Sequence, residues 1–138
     1  MIYMLDTDTC SYIMRQHSQS VLEALQDRAS RGYILCMSVI TCQELRFGAE
    51  RVGSESYHDR IDKVCERLDY VADWTTECAD KFAVIQSALL NKGNPIGFTD
   101  AMIASHALVV DATLVTNNQR HFSQVEDLRL ENWFKEVV

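Results

Sequence analysis

The stretch that decides the expected fold is the start of the chain, Met1-Ile2-Tyr3-Met4-Leu5-Asp6-Thr7-Asp8-Thr9-Cys10. The apolar run from Ile2 to Leu5 predicts a strand buried on both faces, and small polar residues that can cap a helix follow it at once. Asp6 is therefore expected at the carboxyl end of a strand, where ligands and catalytic groups collect in open α/β sheets. A second interpretation is that Asp6 or Asp8 only caps the next helix.

Further apolar runs follow along the chain, separated by helical patterns. The runs cover residues 33–37, 70–74, 113–116 and 128–133. Strands that alternate with helices predict an α/β fold with a central, mostly parallel sheet of about five strands and helices on both faces. In such a fold Asp6, the helix that carries Glu44, and the segment Thr116-Asn117-Asn118 all lie at the carboxyl edge of the sheet.

Two helices are expected to carry acids at this edge. Ser38 should cap a helix that ends at Gly48, and within it Glu44 falls on a mostly apolar face. The helix that begins at Thr99 carries Asp100 in its first turn. A carboxylate on an apolar helix face needs a reason, which makes Glu44 a candidate functional residue.

One long helix is expected between the third and fourth strands. It begins at Thr75 or Thr76, ends at Lys92-Gly93 and turns Leu90 inward. The loop after it, Gly93-Asn94-Pro95-Ile96-Gly97, contains the only proline, and its two glycines indicate a turn or a close backbone approach.

Size and composition indicate one domain, expected over residues 1–138. The 138 residues are 47% hydrophobic, enough for a core that buries most of the surface. No apolar run approaches the roughly 20 residues that span a bilayer, and the N-terminus lacks the features of a signal peptide. A cytoplasmic protein with no membrane partner is expected.

The cysteine count and the charge narrow the class further. The five cysteines form no C-x-x-C pair and no zinc-finger spacing, so we expect reduced, mostly buried thiols. The net charge of −7 argues against a protein that binds nucleic acid through a large basic surface. It does not exclude a nuclease, because divalent ions neutralise converging acids locally.

Asp6, Glu44 and Asp100 would repel one another at the sheet edge, because few basic residues lie near them in the sequence. A hard divalent cation, Mg²⁺ or Mn²⁺, resolves that conflict, since it binds through a few carboxylates, waters and substrate phosphate. Such an ion activates water and stabilises charge on phosphorus. The chemistry that this arrangement suggests is phosphodiester hydrolysis.

Each of the later acids also has a plainer interpretation. Thr41-x-x-Glu44 matches a capping box, although Ser38 is the more natural cap and leaves Glu44 a full turn inside the helix. Asp100 can be a first-turn acid that the helix dipole favours.

The segment Thr116-Asn117-Asn118 is open to two interpretations as well. The asparagines can be simple turn formers. Equally, the three side chains can present oxygens and amides towards a water of the metal or a phosphate. The four histidines show no spacing typical of a nucleophile partner or a metal site, and we interpret them as surface or supporting groups.

Four segments in order resemble the motifs of PIN-domain ribonucleases, most closely those of the VapC toxins of bacterial toxin-antitoxin pairs. The segments are Leu5-Asp6-Thr7-Asp8, Ser38-Val39-Ile40-Thr41-Cys42-Gln43-Glu44-Leu45, Asp100-Ala101-Met102-Ile103-Ala104-Ser105-His106-Ala107 and Leu114-Val115-Thr116-Asn117-Asn118-Gln119-Arg120-His121-Phe122. The resemblance covers nearly the whole chain. It implies a three-layer PIN-like fold and a Mg²⁺- or Mn²⁺-dependent endoribonuclease in which Asp6, Glu44 and Asp100 are the metal ligands.

The resemblance also implies partners and a substrate. It implies a homodimer and a cognate VapB-type antitoxin whose C-terminal segment lies in the active-site groove and blocks it. Known substrates of the family are structured RNAs, often a tRNA anticodon stem-loop, with initiator tRNA typical of the enterobacterial members.

The sequence departs from the family pattern at two positions. The family usually has Asn where this chain has Asp8, so the metal site could carry an extra negative charge, or Asp8 could only cap. A fourth acid is frequent in the family near the position of Asn118, where this chain has an amide. Because the amide carries no charge, a second ion could be held weakly, or only when RNA supplies phosphate oxygens.

Two other functions compete with this interpretation. The start Asp6-Thr7-Asp8-Thr9-Cys10 resembles haloacid-dehalogenase-like phosphatases, in which Asp6 would accept a phosphoryl group and Asp8 would act as general acid and base. Against it stand Cys10, the lack of a late paired-acid motif and an unexplained Glu44. A catalytically degenerate PIN-like binding module is the second alternative, and the intact acids argue against it.

The predicted site therefore has three groups of residues. The predicted metal ligands are Asp6, Glu44 and Asp100. The predicted positioning groups for water or a second ion are Asn118, Thr116 and Asp8. The candidate contacts to the RNA backbone, which can equally be ordinary solvated charges, are Arg15, Arg46 and Arg120.

Overall fold

An all-parallel, five-stranded sheet forms the centre of the structure, a computed structural model that describes residues 1–136. Its strands are β1 (Ile2–Leu5), β2 (Ile34–Ser38), β3 (Tyr70–Ala72), β4 (Ala112–Val115) and β5 (Leu130–Glu131). Their order across the sheet is β3-β2-β1-β4-β5, so β1 is the central strand. The predicted α/β fold with a mostly parallel sheet of about five strands is confirmed.

Helices cover both faces of this sheet. They are α1 (Thr7–Arg15), α2 (Gln19–Ser30), α3 (Val39–Val52), α4 (Glu55–Arg67), α5 (Thr76–Asn91), α6 (Phe98–Val109) and α7 (Gln119–Phe122). Side chains of β1 alternate between two cores, as expected for a strand with both faces buried. Tyr3 and Leu5 pack with residues of α1, α2 and α4, whereas Met4 packs with residues of α6. The result is the predicted three-layer fold.

Residues with an oxygen in the side chain begin most of the longer helices. Each accepts a hydrogen bond from a backbone N–H in the first turn, which supplies a partner for a group that the helix leaves unpaired. These N-cap residues are Asp6, Ser18, Ser38, Ser54 and Thr75. The prediction of Ser38 as a cap is confirmed.

Two details of the helix predictions are wrong. α3 does not end at Gly48 but continues to Val52, and Gly53 ends it with φ of 71°, a left-handed conformation that favours glycine. Leu90, expected to face inward, is 55% exposed. α5 packs mainly against α6, so the opposite side of α5 faces solvent.

Three remaining predictions concern the chain as a whole. All five cysteines are free thiols, and Cys10, Cys36 and Cys78 are buried. Within residues 1–136, no helix combines the length and apolar character needed to cross a bilayer. The single domain expected over residues 1–138 includes two residues at its end that lie outside the described range.

Candidate active site

Asp6 is a buried acid at the carboxyl edge of the sheet, with 5% of its surface exposed. It follows β1 directly, and its backbone N–H donates to the carbonyl of Val115 at the end of β4, over 3.0 Å. Its Oδ1 accepts from the backbone N–H of Thr9 over 2.8 Å, so Asp6 also caps α1. Burial raises the pKa of this carboxyl group to about 6, although hydrogen bonds from Thr116 and Thr9 act to lower it. A nearby cation would stabilise the charged form.

Glu44 meets the start of α1 through a side-chain hydrogen bond. The hydroxyl of Thr7, the first residue of α1, donates to Oε1 of Glu44 over 2.5 Å. This bond places Glu44 next to the residue that follows Asp6. Because α3 begins at Val39 with Ser38 as its cap, Glu44 lies within the helix and is not part of a capping box.

The segment after β4 contributes a buried hydroxyl and an exposed amide. Thr116 has no exposed surface, and its Oγ1 accepts from the backbone N–H of Asn118 over 2.9 Å. The side chain of Asn118 is exposed and makes no capping bond to α7. Asn117 is held elsewhere, because its Nδ2 donates to the hydroxyl of Tyr12 over 3.2 Å. Asn118 is therefore the asparagine that is available to a ligand.

Asp100 is linked to this segment through a histidine. Nε2 of His121 lies 3.0 Å from Oδ2 of Asp100, in the first turn of α6. The backbone N–H of His121 in turn donates to the carbonyl of Asn118 over 3.2 Å. A series of short contacts thus leads from Asp6 through Thr116, Asn118 and His121 to Asp100.

The donor chemistry of these acids fits a hard cation, although their side chains are not gathered around one point. Among residues 1–136 there is no group of three or more His, Cys, Asp or Glu side chains close enough to hold an ion. Glu44 instead accepts from Thr7, and Asp100 contacts His121. The set nevertheless offers only oxygen donors, and one of them is a buried carboxylate whose pKa is raised by burial. The residues present therefore fit a divalent ion in chemistry.

Asp8 differs from Asp6 in its exposure to solvent. It is exposed in the first turn of α1, and Asp6 rather than Asp8 caps that helix. Its negative charge contributes to the raised pKa of Asp6. Its effect on the site is therefore electrostatic.

The three arginines that are candidate contacts to the RNA backbone lie in different surroundings. Arg46 donates to Oδ1 of Asp62 over 2.5 Å and to the carbonyl of His58 over 3.2 Å, so it joins α3 to α4. Arg15 and Arg120 are exposed, and each lines a surface groove. The latter two are better placed than Arg46 to contact a ligand.

Thr7 and His121 are site residues whose roles the sequence did not reveal. Their partners Glu44 and Asp100 lie 37 and 21 positions away, so no local spacing relates each pair. His121 could not be distinguished from the other histidines by its neighbours in the sequence. Only the packing of α1 on α3 and of α7 near α6 brings these groups together.

Comparisons with known proteins agree with this fold. The PIN domain family model matches residues 3–128. The chain is 36% identical to Ribonuclease VapC2 of Rickettsia felis, in an alignment that covers 98% of this chain and 100% of the relative. It is 35% identical to the tRNA(fMet)-specific endonuclease VapC of Salmonella typhimurium, with coverage of 95% and 97%.

Solved structures give the same result. VapBC2 from Rickettsia felis, bound to a promoter DNA fragment, superposes with a TM-score of 0.88 at 34% identity and covers 96% of this chain and 99% of that chain. DNA-bound VapBC from Salmonella typhimurium superposes with a TM-score of 0.84 at 34% identity, with coverage of 96% and 98%.

The fold and the acidic sheet edge define a PIN domain, and the chain belongs to that family. Within the family it groups with the VapC ribonucleases, as its four motifs predict. PIN-domain nucleases of this type depend on divalent metal ions. This membership removes the haloacid-dehalogenase-like interpretation of Asp6 and Asp8.

Proposed function

We propose that this protein is a metal-dependent endoribonuclease toxin of the VapC type, inhibited by a cognate VapB-type antitoxin. The observation that carries the proposal is the buried carboxyl group of Asp6 at the carboxyl edge of the sheet, where burial raises its pKa to about 6. Glu44 and Asp100 lie on helices that flank this edge. Carboxylates at such an edge support hydrolysis of phosphodiester bonds with a divalent ion.

The ion is proposed to be Mg²⁺ or Mn²⁺, with Asp6, Glu44 and Asp100 as its protein ligands. When bound, such an ion would lower the pKa of an attacking water and stabilise developing negative charge. Both ions prefer oxygen ligands and retain several waters, which suits a site that offers few carboxylates.

The chain's own residues hold these carboxylates in place. The N–H of Thr9 fixes one oxygen of Asp6, and the hydroxyl of Thr7 fixes one oxygen of Glu44. Such hydrogen bonds orient a ligand before a metal arrives, which raises affinity. Asn118 is proposed to position water or a phosphate oxygen at the same edge. Thr116 is fully buried, so it is proposed to act indirectly, through its hydrogen bonds with Asp6 and with the backbone N–H of Asn118.

The RNA backbone is proposed to meet a local basic groove between α1 and α4. The groove has a volume of about 490 Å³, and its cations are Arg15, Arg60, Lys63 and Arg67. Within residues 1–136 these four cations form no ion pair, so their charge is available to phosphates. α1 places Arg15 about 13 Å from Asp6 along the helix axis, at about 1.5 Å per residue. A structured RNA is large enough to contact both.

The substrate is proposed to be a tRNA anticodon stem-loop, with initiator tRNA favoured. The support is the relative from Salmonella typhimurium, which is named a tRNA(fMet)-specific endonuclease. The VapB-type partner is supported by the solved VapBC complexes of similar toxins. We further propose a homodimer in the cytoplasm, as the family resemblance implies.

The experiment that tests this function is cleavage of total tRNA by purified, antitoxin-free protein, with the new 5′ ends mapped by sequencing. Discrete cuts in the anticodon loop of initiator tRNA, only when Mg²⁺ or Mn²⁺ is present, would support the full proposal. Discrete cuts in another RNA would keep the enzyme class and change the substrate. Folded protein that binds RNA but cuts none would indicate the degenerate binding module.

A further inference from the structure

A polar groove lies beside Asp100, and the active-site residues account for only one side of it. Its volume is about 360 Å³, within the range of roughly 300 to 1,000 Å³ typical of ligand sites. One wall is the loop before α6, and the other is α7 with the residues next to it. The lining residues that matter here are Asn94, Pro95, Ile96, Asn118, His121 and Gln124.

The groove adjoins the candidate active site through His121 and Asn118. His121 lines it and also contacts Asp100 over 3.0 Å, and Asn118 lines it two residues after Thr116. Because His121 joins the groove to Asp100, the groove lies where a nucleotide next to the proposed scissile phosphate would bind.

The chemistry of the groove suits a nucleotide base. Asn94, Asn118 and Gln124 each carry a side-chain amide, which offers both donors and an acceptor. In the described part of the chain, these amides form no hydrogen bond to protein. Asn and Gln side chains are the groups that pair with the donor and acceptor pattern of a base edge. The imidazole of His121 is a planar ring of the kind on which an unstacked base can stack, and Pro95 adds apolar surface to the same groove.

A cation at the same groove suits the phosphate of that nucleotide. Arg120 lines the groove and is exposed. Among residues 1–136 its guanidinium forms no ion pair with an acid. Arginine binds phosphate through paired hydrogen bonds in a fixed plane.

The loop wall is held in shape without a ligand. Gln86 on α5 is 6% exposed, and its Nε2 donates to the carbonyl of Ile96 over 3.2 Å. The backbone N–H of Asn94 donates to the carbonyl of Leu89 over 3.0 Å. Both ends of the loop segment are therefore tied to α5, so that a base meets a preformed surface.

We propose that this groove binds one unpaired nucleotide adjacent to the bond that is cut, with Asn94 and Gln124 reading its base edge and Arg120 binding its phosphate. The proposal rests on the endoribonuclease function and adds a base preference at one position of the substrate. Recognition of an unpaired base also explains why such an enzyme would cut loops, because the base edges of an RNA duplex are poorly accessible.

The test uses stem-loop RNAs that differ only in the nucleotides flanking the cut. The ratio of kcat/KM between the best and worst base is measured at each flanking position. For wild type, one position should show a preference of about tenfold or more, the size expected for a good amide–base contact. In N94A/Q124A this ratio should fall close to one. In R120A, kcat/KM should fall by a similar factor for every substrate.

The matched control is N91A/Q119A, which removes the same two amides at exposed positions outside the groove. It should keep the wild-type ratio. Circular dichroism and melting temperature confirm that each variant is folded. A wild-type ratio that persists in N94A/Q124A, or a wild-type enzyme without preference at any flanking position, would overturn the proposal.

A binding assay separates this proposal from the cleavage function. Fluorescence anisotropy of the same labelled RNAs is measured in EDTA with an Asp6→Asn background, so that no cleavage is needed. The base preference should appear in Kd and disappear with N94A/Q124A. If wild type cuts no RNA but this preference is found, the proposed enzyme fails and the nucleotide site remains. If RNA is cut but the base preference in Kd and in kcat/KM is the same in wild type and N94A/Q124A, the nucleotide site is wrong and the endoribonuclease function stands.

Discussion

Nε2 of His121 lies 3.0 Å from Oδ2 of Asp100 and so joins α7 to the first turn of α6. Asp100 is only half-buried, and its side chain would otherwise be free to change rotamer in solvent. A hydrogen bond from a neighbouring side chain fixes the orientation of a carboxylate that binds metal. His121 is therefore a positioning residue for the proposed metal ligand.

Replacing His121 should weaken catalysis through the metal. His121→Ala is expected to lower the cleavage rate about 10- to 100-fold, because removing a hydrogen-bond partner of a metal ligand typically has an effect of this size. It should also raise the metal concentration needed for half-maximal rate. A metal titration of the cleavage rate measures both quantities. The control is His17→Ala, an exposed histidine that stacks on Tyr12 and contacts no acid. Equal metal requirements in the two variants would contradict the assigned role.

Removing the charge of Asp6 should stabilise the metal-free protein. Burial raises the pKa of Asp6 from 3.8 to about 6, so the folded state binds this proton more tightly than the unfolded state. The free energy of unfolding therefore falls as the pH rises from about 4 to about 6, by at most about 3 kcal/mol. Asp6→Asn lacks this decrease and keeps a side-chain oxygen to cap α1.

The measurement is urea unfolding in EDTA at pH 7.5 and at pH 4 for both proteins. Asp6→Asn should be the more stable protein at pH 7.5, and its advantage should shrink at pH 4. A variant that is less stable than wild type at pH 7.5 would show that the charge of Asp6 is compensated within the fold.

The parts of the site that local sequence determines could be predicted. The apolar run of β1 and the abrupt change at Asp6 predict this acid at the carboxyl edge, because a short continuous apolar run followed by cap residues is typical of a strand buried on both faces. Ser38 was predicted as a helix cap, because serine after an apolar strand and before a helical pattern is a strong start signal.

The parts that depend on tertiary packing could not be predicted. The contacts between Thr7 and Glu44, and between Asp100 and His121, join residues far apart in the chain. Glycine is a helix stop signal, which predicts the end of α3 at Gly48, but Gly48 lies within the helix and it is Gly53 that has the left-handed φ of a C-cap. The exposure of Leu90 depends on which side of α5 meets α6.

Ser38 should contribute more to stability than an ordinary cap. Its Oγ accepts from the N–H of Ile40 over 3.0 Å and lies 2.7 Å from Nδ1 of the buried His106, whose pKa is lowered by burial. Ser38→Ala removes the cap, which destabilises the fold by about 1 kcal/mol. It also leaves a buried imidazole nitrogen unpaired, which costs about 1–3 kcal/mol more. The expected decrease in the free energy of unfolding is about 3 kcal/mol, measured with urea at pH 7.5.

Ser18→Ala is the matched control for Ser38, because Ser18 caps α2 and has no buried histidine partner. It should cost only about 1 kcal/mol. Similar decreases in the two variants would indicate that the contact with His106 adds nothing to stability.

Neutralising the basic groove should weaken RNA binding in a salt-dependent manner. Arg60→Ala with Lys63→Ala removes two cations that line the groove between α1 and α4. The logarithm of the RNA association constant falls linearly with the logarithm of the salt concentration. The steepness of this fall should be smaller by about 0.7–0.9 for each phosphate that the variant no longer neutralises. The control is Lys81→Ala with Lys92→Ala, which changes net charge equally at exposed positions of α5 and its C-terminus. Identical slopes for both pairs would place the RNA elsewhere.

The measurement that tests the central claim most directly is cleavage of total tRNA with Mg²⁺, with Mn²⁺ and with EDTA, by wild type, Asp6→Asn and Asp80→Asn. Asp80 is an exposed acid on α5 and controls for the removal of one negative charge. We predict a discrete product from wild type and Asp80→Asn with either ion, and none with EDTA or with Asp6→Asn. A product that forms in EDTA, or that Asp6→Asn makes at the wild-type rate, would contradict the assignment of Asp6 as the central ligand of a metal-dependent ribonuclease.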